Sequence, residues 1–114
     1  MTDRQFETIY TAALGDNDRE AFVSDWALAD VWGEDDTAEG EELVARAELV
    51  DRIWGLAHLT IREVRDYLGL SQREFSRHFC VPYSTVLNWE ARGCAPAYVV
   101  LLLARAGGMM EGLL

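Results

Sequence analysis

The chain has 114 residues, 50% of them hydrophobic, and a formal net charge of −10. That length allows one ordinary domain and is too short for two full ones. Its longest apolar run, AYVVLLLA (Ala97–Ala104), falls well below the roughly 18 residues of a membrane span, and the acidic start MTDRQFE lacks the basic end of a signal peptide, so a soluble, cytoplasmic protein without membrane contact is expected.

Charge divides the chain before any motif does. Residues 1–58 carry four arginines against fifteen carboxylates, a formal −11, whereas residues 59–114 carry six against five, a formal +1. Residues 1–58 therefore read as an acidic helical extension, 59–106 as a separate helical domain and 107–114 as a short tail. In the extension, DRQFETIYTAAL places Phe6, Ile9, Tyr10 and Ala13 at helical spacing and stops at Gly15, a residue type able to take the left-handed conformation that ends many helices. Asp16 or Asp18 then caps a second helix running through Phe22, Trp26 and Ala29 toward Trp32 and ending near Gly33. GEDDTAEGEE, near 33–41, is charged and aperiodic and reads as a mobile loop. A third helix is expected from Glu41 to Ala57 with Leu43, Ala47, Val50, Trp54 and Ala57 on one stripe.

From Thr60 onward the helix starts are explicit. Thr60 with Glu63, and Ser71 with Glu74, each have the spacing of a capping box, in which a hydroxyl and a carboxylate satisfy backbone amides of the first turn. The first of these helices is expected to bury Ile61, Val64 and Leu68 and to end at Gly69, and the second to bury Phe75 and Phe79 and to stop at CVP. Proline suits a helix's first turn, so Pro82 opens the next helix, with Val86 and Trp89 inward, and Pro96 opens the last, through Tyr98, Val99, Leu102 and Leu103. Two short helices with a tight joint, the second carrying small polar residues at its start, form a helix-turn-helix.

The residues LGLSQREFSRHFCVPYSTVLNWEARGCAPAYVVLLLA resemble the Cro/C1-type (XRE family) helix-turn-helix regulators. Leu68, Gly69, Leu70, Ser71 and Gln72 match the family's opening; Ser84, Thr85, Val86, Trp89 and Glu90 match its recognition helix; Pro96 matches its restart. Cys80 stands where many relatives have glycine, and Pro82 where they have serine or threonine. The resemblance covers roughly Thr60 to Ala106 and implies an all-α, lambda-repressor-like domain of about five helices. It implies sequence-specific binding of double-stranded DNA by the helix 82–90, a repressor's role, and a homodimer. It assigns Tyr83, Ser84, Leu87 and Asn88 to bases, Asn88 because an amide can both donate to and accept from adenine. Gln72, Thr85, Arg73, Arg77 and Arg92, the last in the loop after the recognition helix, are assigned to phosphates. Glu90 is expected to stabilise the helix end internally.

Other chemistry finds little support. No nucleophile with a nearby base and no phosphate-cradling glycine loop is present, so no catalytic residue and no cofactor is expected. Cys80 and Cys94 lack CxxC spacing and a nearby histidine set, so small buried thiols are expected rather than a metal site. The alternative to a regulator is an antitoxin-like or adaptor protein, whose acidic extension binds a basic protein partner.

Overall fold

Side chains that bond to their own backbone decide where most of the helices begin. The computed structural model describes residues 1–33 and 39–113, and among these the secondary structure is entirely helical. In chain order the helices are α1 (Asp3–Leu14), α2 (Arg19–Ala27), a 3-10 turn (Asp30–Trp32), α3 (Glu41–Ala57), α4 (Ile61–Leu68), α5 (Gln72–Phe79), α6 (Tyr83–Arg92) and α7 (Ala97–Ala106). None of them is long and apolar enough to cross a membrane. The chain divides into two compact units: Met1–His58 with Gly112 and Leu113, and Leu59–Glu111.

In the first unit, Thr2 and Gln5 form a capping box at the start of α1, and the Asp18 carboxylate accepts from the Ala21 amide at the start of α2. α3 packs against both α1 and α2. The core is Phe6, Ile9, Ala13, Phe22, Ala27, Val50, Ile53 and Leu56. Because α3 meets two helices, its buried line is Val50, Ile53 and Leu56, while Leu43, Ala47, Trp54 and Ala57 of the expected stripe are half-buried. Polar atoms of the half-buried Trp54 and His58 are engaged. Trp54 Nε1 donates to Asp16 Oδ1 (3.1 Å), and His58 stacks on the Trp54 ring while its Nε2 donates to the Ala13 carbonyl (2.8 Å). Arg19 lies over the other part of this cluster, 5.0 Å from the Trp54 ring centroid and 2.6 Å from Asp51.

Two helix ends in this unit have their own geometry. Gly15 is not left-handed, at φ −98° and ψ 4°; the amide there bonds back to Ala13 in an ordinary turn. α2 stops at Ala27 instead of continuing to Trp32, because the Trp32 indole folds back to donate to the Trp26 carbonyl (2.8 Å) and Gln5 Nε2 donates to the Val31 carbonyl (3.2 Å), which holds Asp30–Trp32 as a separate 3-10 turn. Of the loop expected near 33–41, residues 34–38 lie outside the described residues.

The second unit contains four α-helices, the four whose beginnings the sequence marks. Both anticipated capping boxes are formed: Thr60 with Glu63 on α4, and Ser71 with Glu74 on α5. The Ser71 backbone amide donates to Glu74 Oε1 (3.0 Å), which is the main reason that carboxyl sits below its ordinary pKa. α4 packs against α6 and α7, and α5 against α6. Their shared core is Ile61, Val64, Phe75, Val86, Val100 and Ala104, closed by Met110. Where α4 and α7 end together, a Cβ on Gly107 would meet the Leu68 methyls at 3.2 Å and the Leu103 carbonyl at 3.3 Å, so a glycine permits that approach. On α7, Val100 and Ala104 point inward while Tyr98 and Leu102 are exposed.

Neither cysteine is buried. Cys80 and Cys94 both lie exposed in the connections at the two ends of α6, the places where the chain must reverse and cannot enter the core. Cys80 is also the one non-glycine residue with positive φ among the described residues, at φ 55°. A side chain in that conformation costs about 1–2 kcal/mol, part of which a glycine returns through its greater freedom in the unfolded chain. Cys80→Gly is therefore expected to stabilise the second unit by about 0.5–1 kcal/mol. Urea unfolding checks this: a higher midpoint is the expected result, and an unchanged or lower one would contradict the strain.

Candidate nucleic-acid interface

The joint between α5 and α6 is three residues, Cys80 to Pro82. Ser76 organises it: its carbonyl accepts from the amides of Cys80 and Val81, and its hydroxyl donates to the Val81 carbonyl at 2.6 Å. The left-handed Cys80 then turns the chain, and Pro82, at φ −54°, stands as the residue immediately before the first turn of α6. α6 runs two residues further than the 82–90 expected, so Arg92 belongs to its last turn and not to the loop, and Gly93 in the left-handed region ends it.

α6 has two unlike faces. Val86 is fully buried and Trp89 half-buried, which anchors the helix. Opposite, Ser84, Leu87, Asn88 and Ala91 are exposed at the i, i+3, i+4, i+7 spacing that lines up one side of a helix. The stripe carries no charge. Ala91 belongs to it by position, although its lack of a polar group hid it from sequence reasoning.

Glu90, on the same helix, is turned inward. Its side chain is 9% exposed and meets Arg65, 17% exposed, through Nη2–Oε1 at 2.9 Å and Nε–Oε2 at 3.3 Å. Gln72 Nε2 adds a third bond to Oε2 (3.2 Å), and Arg65 Nη1 donates to the Leu70 carbonyl (3.1 Å). Hydrogen bonding to the Glu90 carboxylate holds the Arg65 guanidinium above its ordinary pKa. The network ties α4, the start of α5 and the end of α6 together. It also turns most of that acidic side chain away from solvent.

The remaining predicted residues fall around this stripe in differing states. Tyr83 is half-buried, and the Arg73 guanidinium stacks over its ring at 4.5 Å, so the tyrosine serves as a platform for that cation. Arg77 and Arg92 are exposed. Thr85 is half-buried, one step round the helix from the stripe. Gln72, expected at a phosphate, has its amide nitrogen committed to Glu90. Asn88 Nδ2 faces the Cys94 sulfur at 3.7 Å, a weak contact to a soft acceptor. Arg62 and Arg65, which sequence reasoning counted only as charge, line with Leu87 and Ala91 an open groove of about 740 Å³ beside the stripe. Their signal was their place on α4, which only the packing of α4 on α6 makes relevant.

Comparison with protein-family models, with curated proteins and with solved structures found no match for this chain.

Proposed function

We propose that the second unit binds double-stranded DNA sequence-specifically by placing α6 in the major groove, and that the protein acts as a transcriptional regulator, as a repressor of the Cro/C1 type that it resembles in sequence. The observation that carries this reading is the uncharged stripe Ser84, Leu87, Asn88 and Ala91, presented on a helix whose opposite side is anchored and whose one acidic residue is locked inward. A helix with its side chains is about 10–12 Å across and the major groove about 12 Å wide, so such a stripe reaches base edges. Asn88 is the residue suited to adenine, and Ser84 and Leu87 complete the reading surface, Leu87 toward a thymine methyl. Arg73, held over Tyr83, with Arg77 and Arg92, supplies phosphate contacts.

The lambda-repressor-like arrangement is part of the proposal, with four helices standing for five. So is a homodimer, whose two copies of α6 would meet half-sites about 34 Å apart. In this reading the formal −11 of the first unit weakens indiscriminate attraction to phosphate, which favours specific over nonspecific sites. A second reading, an antitoxin-like or adaptor protein, is favoured by that same charge together with Leu28 (71% exposed) and Val44 (58% exposed), apolar side chains left in acidic surroundings.

Titration of the full chain onto duplex DNA from its own upstream region, at several salt concentrations, separates the two. The regulator reading predicts binding that weakens steeply with salt, and a loss of about 1–3 kcal/mol for each of Ser84→Ala and Asn88→Ala. No binding at low salt, or binding indifferent to both changes, removes that reading and leaves the adaptor.

A further inference from the structure

We propose that the second unit carries a small-ligand site, distinct from the exposed stripe of α6, that takes a compact carboxylic acid of one ring or a short chain. A cavity of about 260 Å³ lies between the start of α4, the end of α6 with its following loop, and the beginning of α7. Ile61, Val100, Ala95 and the half-buried ring of Trp89 make it apolar. On the same helix Val86 is wholly covered, so the incompletely covered indole marks this end of α6 as the open one.

The polar groups around the cavity decide the class of ligand. The Thr60 hydroxyl is spent on its capping box, accepting from the Glu63 amide (3.2 Å) and donating to Glu63 Oε1 (3.0 Å). Both Glu90 oxygens are held by Arg65 and Gln72. The charged group that remains is Arg62, 74% exposed, with a 3.9 Å approach to Asp66, a surface pair of the kind that contributes little. A guanidinium takes a carboxylate through two parallel hydrogen bonds, and the apolar wall behind it takes the body of the acid. The volume is the room of about nine waters at ~30 Å³ each, and lies under the ~300 Å³ at which pockets for larger ligands begin, so a nucleotide or a peptide does not fit.

Phenylacetate, a ring with a carboxylate, is a suitable probe, with phenylacetamide as its uncharged counterpart. In ¹H–¹⁵N spectra of the full chain, phenylacetate should shift the Trp89 indole and the Ile61 and Val100 amides saturably, with a dissociation constant on the order of 1 mM. Phenylacetamide should bind at least about tenfold more weakly, as should phenylacetate to Arg62→Gln, a surface change that leaves the spectrum dispersed. Ala95→Leu, which fills the cavity, should abolish the shifts. Absence of saturation, equal binding of acid and amide, indifference to Arg62→Gln, or shifts centred elsewhere would each overturn the proposal. The titration contains no DNA, so its result is independent of what α6 reads.

Discussion

Phe75→Ala is expected to destabilise the second unit by about 3–5 kcal/mol, the range for deleting a fully buried aromatic ring. Phe75 is 0% exposed and the largest of the wholly buried side chains, and it meets the Phe79 ring at 4.8 Å. It sits in the middle of α5, the helix on which α6 is seated. Domains are stable by only about 5–15 kcal/mol, and small ones lie toward the low end. The loss is therefore large enough to unseat α6. Hydrogen exchange reads the second unit by itself: the slowest amides of α4–α7 should exchange roughly two to four orders of magnitude faster in the variant. An acceleration below about tenfold would mean that Phe75 is not the anchor its burial indicates.

The second large effect belongs to Glu90. Removing its carboxylate leaves Arg65, 17% exposed, with a hydrogen bond to the Leu70 carbonyl and the weaker attraction of Asp66, and strips Gln72 of its acceptor. Breaking one side of a buried ion pair costs about 3–5 kcal/mol; with Arg65 still in partial contact with solvent, the lower end, about 3 kcal/mol, is expected for Glu90→Ala. Most of that cost is the stranded guanidinium and not the intrinsic strength of the pair. The double variant Arg65→Met with Glu90→Leu should accordingly be less damaged than the sum of its single changes by about 1–3 kcal/mol. Urea unfolding of the four proteins closes this cycle. Strict additivity would show that the two residues are neighbours without coupling.

Helix beginnings were legible in the residues because the interactions that set them are local. Thr60 with Glu63 and Ser71 with Glu74 bond to backbone amides within one turn, and the all-α character follows from the same periodicities. What was hidden depends on residues far apart in sequence. α2 ends early because Trp32 and Gln5 bond to the segment beyond it, a matter of tertiary contact. The apolar stripe of α3 is displaced because two helices press on it from different sides. The cysteines read as small apolar residues, but their places in the connections put them in solvent. In the candidate site, the outward position of Ser84, Leu87 and Asn88 follows once Val86 and Trp89 are set inward. Glu90 was expected to act internally, yet nothing in the sequence names Arg65, 25 positions away, as its partner, or shows that Gln72 bonds into the same network. Nor does the sequence show that the Arg73 guanidinium lies over the Tyr83 ring.

The central claim is that the exposed stripe of α6 reads base edges. Selection of bound sequences from a pool of random duplexes, carried out in parallel with the wild-type chain and with Asn88→Ala, tests it most directly. The account predicts that the wild type enriches a defined sequence, and that Asn88→Ala loses preference at one adenine-bearing position, by about 1–3 kcal/mol, while keeping the rest of the motif. A wild-type chain that enriches nothing, or a variant that enriches an unchanged motif, would contradict it.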